Sequence, residues 1–273
     1  MQLQPTLSLA PSASHSEGHR CAVHVAPITV NGIRFDALDR AGLIRAVESF
    51  LGCGHSHVIQ FLACDPTVRA ATDGEYARVL NAGDLNIADG LPIALTMGLK
   101  GHTTERIAGT ESVALLCDAG QQTHLKHYLY GGSQDTIERL RFQLRRLYPG
   151  LRLAGTESPR FGIPTDEELA ASAASIQAAG TDLLWIGVGT PTQHYVANRL
   201  RELDAAPVIL CVGAAFDFVA GTKKRAPKWM QRSCLEWLHR MLSEPRRLSR
   251  RYLVGNPRFV AGVAREWLTS GHE

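Results

Sequence analysis

The 273-residue sequence contains no apolar run near the ~18 residues needed to cross a bilayer, which excludes an integral membrane protein built from spanning helices. Its six cysteines (Cys21, Cys53, Cys64, Cys117, Cys211, Cys234) are scattered and form no C-x-x-C pair. That argues against a metal cluster or a disulfide framework and for a reduced, cytoplasmic protein. The opening MQLQPTLSLAPSASHSEGH has neither a basic start nor a sustained apolar core, so no secretory leader is expected. Neither G-x-G-x-x-G nor G-x-x-x-x-G-K-[ST] occurs, and with them the dinucleotide fingerprint and the P-loop fall away. His124, His127, His194 and His239 show no ligand spacing and read as structural, and no D-x-D triplet is present to hold a divalent ion. Neither a metal nor a cofactor is expected. No repeat of 20 to 50 residues is visible.

What remains is the composition of a soluble globular protein: 45% hydrophobic and 20% charged. The length suits one large α/β domain, or a domain with an appendage. The net charge of +3 conceals an asymmetry. Between Thr222 and Arg258 eleven Lys and Arg face only Glu236 and Glu244, a local charge of +9, which leaves −5 on residues 1–221. An acidic body with a basic C-terminal segment implies an anionic partner for that segment.

Residues 1–24 are rich in Ser, Pro and Gln without periodicity and are predicted to be disordered. APITVNGIRFDAL predicts two short strands turned at Asn31-Gly32. A helix follows from about Asp39, with Leu43, Ala46 and Phe50 at helical spacing. An alternation then sets in. Strands are predicted at HVIQFLAC (57–64), LNIAD (85–89), HYLYGG (127–132), LRLAG (151–155), DLLWIGVG (182–189) and APVILCVG (206–213). Helices lie between them: PTVRAATDGEYARVLNAG opening at Pro66, LPIALTMGL, GTESVALLCDAGQQ, a helix capped by Ser133, one opened by Thr165 and closed by Gly180, and TPTQHYVANRLREL. Short apolar strands separated by helices predict an α/β, Rossmann-like, mostly parallel sheet with helices on both faces. After about Ala220 the pattern turns helical and basic, with apolar residues repeating at Met230, Cys234, Trp237 and Met241. The domain plan is therefore a core over 25–221 and a basic amphipathic appendage over 222–273.

Ligands of open parallel sheets bind beyond the carboxyl ends of the strands. This singles out Ala63-Cys64-Asp65, Asp89-Gly90, Gly131-Gly132 and Gly187-Val188-Gly189. Asp89 is a general base whose pKa partial burial would raise, or it is an N-cap for the following helix. Gly131, Gly132 and Ser133 form an anion cradle at a helix start, or simply a tight turn. Gln193, in the first turn of its helix, reaches a ligand hydroxyl or is an exposed polar residue. Arg106, in the polar loop GHTTERIAGTE, clamps a phosphate or sugar, or is only solvated. Asp217 contacts ligand, or pairs with Lys223 or Arg225. The C-terminal run reads as a solvated charged face, as a membrane surface because Trp229, Trp237, Tyr252 and Phe259 interleave with its arginines, or as a nucleic-acid site, against which the acidic body argues.

NAGDLNIADGLPIAL, ERIAGTE, GVGTPTQ, VGAAFDFVAGTKKRAPKWMQRSCLEWLHRMLSEPRRLSRRY and NPRF together resemble the WecG/TagA/CpsF family of bacterial glycosyltransferases, over roughly 57–260. The sequence is similar to its xanthan-type glucosyltransferase branch (GumM-like) as well as to its N-acetylmannosamine transferases. The resemblance implies inverting, metal-independent transfer of a sugar from a UDP-sugar of glucose or N-acetylmannosamine type. The acceptor implied is an undecaprenyl-diphosphate-linked saccharide, in exopolysaccharide or cell-surface polysaccharide synthesis. It implies a protein peripheral to the inner face of the cytoplasmic membrane, bound to an anionic surface, with no nucleic-acid partner and with room for a homo-oligomer. It places the catalytic base on Asp89 and a catalytic arginine on Arg106. It places a substrate-binding glutamine on Gln193 and the lipid-diphosphate or leaving-group arginines on Arg240, Arg247 and Arg250; the strand-end reading adds Asp65, Gly90, Gly131, Gly132, Gly189 and Asp217 as substrate-binding candidates. Two positions depart from the pattern. Ala63-Cys64-Asp65 stands where the family has Thr-x-Asn, and His194 replaces an acidic residue. The physical demands agree: with no D-x-D, guanidinium groups are the available counter-charge for a departing diphosphate. The rival from another class is a non-catalytic membrane-associated binding module, which binds lipid without turnover; an RNA-binding protein is the second rival, predicting salt-sensitive RNA retention.

Overall fold

A computed structural model describes residues 27–270, so the disorder predicted for 1–24 lies outside the described residues. The first elements are an antiparallel hairpin, β1 (Pro27–Val30) and β2 (Ile33–Asp36). Asn31 and Gly32 turn it at φ of 53° and 75°, the left-handed pair whose twist matches the flanking strands. Helix α1 (Arg40–Leu51) begins where Asp39 accepts a hydrogen bond from the Gly42 amide, and it buries Leu43, Ala46 and Phe50. Strand β3 (His57–Leu62) is buried at every position, as a strand covered on both faces must be.

The single helix predicted after β3 is two helices, α2 (Cys64–Ala70) and α3 (Gly74–Asn81). Asp73 causes the break: its carboxylate accepts from the Tyr76 amide, a local bond that starts a new helix rather than continuing the old one. Cys64, read in sequence as the last residue of a strand, opens α2. Then follow β4 (Leu85–Ala88), α4 (Leu91–Leu99), α5 (Gly109–Thr123), β5 (Lys126–Tyr130), α6 (Gln134–Leu147), β6 (Arg152–Glu157) and α7 (Asp166–Ala178). The alternation closes with β7 (Leu183–Ile186), α8 (Thr192–Glu202), β8 (Val208–Cys211) and α9 (Ala215–Val219). Ser133 caps α6, and Thr165 with Glu168 makes a capping box on α7. The six later strands form a parallel sheet flanked by helices, in the order β4-β3-β8-β7-β5-β6. The α/β class read from the alternation is the observed one.

Beyond Ala220 the chain forms α10 (Lys228–Arg232), α11 (Glu236–Ser243) and α12 (Pro245–Ser270). The apolar repeat from Met230 to Met241 is not one helical stripe. Cys234 takes a φ of 57°, which ends α10 and re-aims α11. Helix α12 continues through Pro257 and anchors itself by the buried Leu248 and Phe259.

In space the chain groups into two compact units, one of residues 39–59 and 109–223, the other of the described parts of 25–38, 60–108 and 224–273. The core of the first unit centres on Tyr130, Leu184, Ile186, Val196, Leu200, Ile209 and Cys211. In the second, the β1–β2 turn holds α12. The Asn31 side-chain amide donates to the Phe259 carbonyl (3.3 Å) and the Gly32 amide to Glu266 (3.0 Å), while Lys100 donates to the other Glu266 oxygen (3.0 Å). The last three helices thus share a unit with the hairpin and with β4.

Candidate active site

Asp89 follows β4 directly. Its amide donates to the Leu62 carbonyl at 3.0 Å, and the Ile107 amide donates to the Ala88 carbonyl at 3.0 Å. The second bond fastens the 101–108 loop, and with it Arg106, to the end of the strand. Gly90, not Asp89, is the N-cap residue of α4, and no side chain caps this helix. The capping reading of Asp89 is thereby replaced: the carboxylate stands one residue too early and is left for other work.

That carboxylate keeps some access to solvent while protein closely surrounds it. Loss of hydration pushes its pKa up to about 6, and the nearby negative charge of Glu236 pushes the same way. Arg106, Arg240 and Arg225 pull it down. A carboxyl so poised is ionised at neutral pH and still basic enough to accept a proton.

Glu236, in the first turn of α11, organises these cations. Its Oε2 lies 3.2 Å from Arg106 Nη1 and its Oε1 lies 3.5 Å from Arg225 Nε. One carboxylate thus bridges two guanidiniums beside Asp89. Asp65 does the same on α2: its Oδ2 accepts from Arg69 Nε at 2.8 Å, and its Oδ1 is 3.2 Å from Arg251 Nε of α12. Burial draws the Arg251 pKa below its ordinary value, and the charge of Asp65 resists that shift. The Cys64 thiol is pushed up to about 12, chiefly by burial, so it stays protonated and is no nucleophile. At Gly90 a Cβ would stand 3.4 Å from the Ala63 Cα and 3.6 Å from the Cys64 amide nitrogen, ordinary contact, so the end of β4 runs beside the departing Ala63-Cys64-Asp65 loop.

Of the arginines expected from the C-terminal segment, Arg240 acts on Asp89, whereas Arg247 and Arg250 are exposed near the start of α12, Arg247 bonded to Glu244 at 2.6 Å. From sequence, Glu236 and Arg251 carry no site role, and Arg225 is named only as an alternative partner of Asp217. Arg225 and Arg251 were hidden among eleven cations, but Glu236 carried a signal: it is one of two acids in that run.

In the first unit the carboxyl ends of β5, β7 and β8 converge. Gly131 has a φ of 128°, and a Cβ there would lie 2.6 Å from the Gly187 carbonyl carbon, so only glycine fits. Gly132 (φ 74°) precedes the Ser133 cap, and Gly189 faces open space. Gln193 is not the exposed residue of the bland reading: it is 3% exposed, tucked toward Gly213, whose missing side chain leaves it room. Its Nε2 lies 3.1 Å from His194 Nε2, and its Oε1 is buried without a hydrogen-bond partner. A buried carbonyl left this way costs stability that a ligand donor would recover. Burial lowers the His194 pKa to about 3, which keeps the imidazole neutral. Asp217 pairs with Lys223 at 2.9 Å, the structural reading of that residue.

Residues 28–273 match the sequence pattern described as the Glycosyl transferase WecG/TagA/CpsF family. Among characterised proteins, the chain is similar to the N-acetylglucosaminyldiphosphoundecaprenol N-acetyl-beta-D-mannosaminyltransferase of Bacillus spizizenii, at 29% identity over 195 residues, 71% of this chain and 73% of that enzyme. It is similar at 28% identity over 198 residues to the enzyme of the same name in Bacillus subtilis, covering 72% and 75% of the two chains.

Proposed function

This chain belongs to the WecG/TagA/CpsF family of glycosyl transferases, and from that premise we propose that it moves a sugar from a UDP-sugar onto an undecaprenyl-diphosphate-linked saccharide. The observation that carries the reading is Asp89, a recessed carboxyl of pKa about 6 at a strand end, ringed by Arg106, Arg225 and Arg240. The acceptor hydroxyl oxygen attacks the anomeric carbon while the bond from that carbon to the diphosphate oxygen breaks. The hydroxyl proton passes to Asp89, and the bonding pair leaves with the nucleoside diphosphate. A single displacement inverts the anomeric centre. The guanidiniums compensate the charge that grows on the leaving group, a role suited to their planar donor forks.

Gln193 is assigned to a substrate donor group, and Gly90, Gly131, Gly132 and Gly189 to close approach of substrate along the backbone. Asp65 orders Arg69 and Arg251, and Asp217 orders Lys223. Arg247 and Arg250 are assigned to the lipid diphosphate. Exposed Trp229, Leu253, Val254, Val260, Trp267 and Leu268 accompany these arginines on α10 and α12, which supports peripheral attachment to an anionic leaflet. Among the described residues no helix is long and apolar enough to cross a membrane. The names of both relatives favour N-acetylmannosaminyl as the donated group and N-acetylglucosaminyl-diphosphoundecaprenol as acceptor. The test is a panel of UDP-sugars offered with that acceptor and the product weighed. A mass gain equal to one N-acetylhexosamine supports this donor; a gain of one hexose moves the donor to the glucose type; no gain with any UDP-sugar removes the reading.

A further inference from the structure

Glu236 sits where an anion of the reaction would be expected to sit. Its two carboxylate oxygens are 3.2 and 3.5 Å from the guanidiniums of Arg106 and Arg225. Those guanidiniums come from separate stretches of chain, the loop after α4 and the segment before α10. The side chains of Arg106 and Glu236 are only 14% and 26% exposed. Two cations held this close in a recess need an anion between them, and a carboxylate offers the same bidentate geometry as a phosphate. We propose that Glu236 is a built-in stand-in for substrate diphosphate, a positioning residue that keeps Arg106 and Arg225 aligned when the site is empty and is displaced when a diphosphate arrives. The proposal rests on the glycosyl-transfer reading and goes past it by naming what occupies the arginines between turnovers.

Two consequences separate this role from a merely structural one. A residue that only supports the fold would, when neutralised, loosen the arginines and weaken anion binding. A competitor, when neutralised, strengthens it. In addition, the groups acting on the Asp89 carboxylate are Glu236 and Arg240 of α11, Arg106 of the loop, and Arg225 before α10, with the neutral Cys64 thiol of α2 beside them. Removing the single negative member of that set moves the acid limb of kcat/KM to lower pH.

The experiment is calorimetric titration of the full chain and of its E236Q and E236D variants with UDP and, separately, with geranyl diphosphate, whose arms tell a nucleotide diphosphate from a lipid one. The expected result is binding roughly two- to fivefold tighter in E236Q for at least one ligand, the value of one competing charge in a partly exposed pair, with E236D, which keeps the charge but shortens its reach, in between. Unchanged or weaker binding of both ligands in folded E236Q overturns the proposal. Should E236Q fail to fold, E236D alone decides in the same sense. Because binding of a diphosphate requires no base, a failure here leaves the Asp89 assignment standing, and full turnover by Asp89→Asn would leave this one standing.

Discussion

At the scale of the residue, the role proposed for Asp89 comes with a cost in stability. Its pKa is raised from 3.8 to about 6 in the folded chain, so between those values the folded state holds a proton the unfolded state has lost. Stability therefore falls as pH rises through that window and stays lower above it. The shift converts to about 3 kcal/mol at most. Asp89→Asn is accordingly expected to melt higher than wild type at pH 7.5, with the difference shrinking toward pH 4; calorimetry at the two pH values checks this. Under the proposed role the same proton governs turnover: kcat/KM is expected to rise with pH along a limb near 6, because a base must be ionised to act. The place of Asp89 was legible because an acid directly after an apolar strand falls at the sheet rim; the choice between base and cap was not, and only the family resemblance favoured the base. Glu236 was not, since nothing in LEW-x-x-R says that the loop carrying Arg106 is folded against it.

The elements were legible wherever period and punctuation agreed. Asn31-Gly32, Ser133, Thr165 and Gly180 each mark a boundary by a local hydrogen bond or a left-handed φ that sequence alone specifies. The misreadings share a cause. Between Ala70 and Gly74, and between Arg232 and Glu236, three residues whose types do not forbid a helix break it, so a periodic pattern runs on across the gap. Gly131 shows the reverse, a position whose identity is dictated by packing between β5 and β7. Gly131→Ala would force both a φ of 128° and a 2.6 Å approach to backbone, at a cost on the order of 2–4 kcal/mol. A matching loss in urea-unfolding stability is expected, and an unchanged midpoint would remove the steric account of this turn.

For the whole molecule, the +9 segment read from sequence as an appendage lies, from Lys224 on, in one compact unit with β4 and the Asp89 recess. The sequence announced the segment's charge but not its neighbours, because long-range packing of α11 and α12 leaves no periodic trace. Its exposed tryptophans and arginines predict flotation with liposomes containing anionic lipid at low salt, release as ionic strength rises, and weaker flotation for Trp229→Ser combined with Trp267→Ser. Flotation that ignores both salt and lipid charge would count against the surface role. The central claim, that one recessed carboxylate backed by guanidiniums performs the transfer without a divalent cation, is tested most directly by measuring sugar transfer to the lipid-diphosphate acceptor in EDTA, wild type beside folded Asp89→Asn. The account predicts full wild-type turnover and a loss of roughly 10²- to 10⁴-fold in the variant. Wild-type activity that vanishes in EDTA and returns with magnesium or manganese, or a variant that turns over at the wild-type rate, would contradict it.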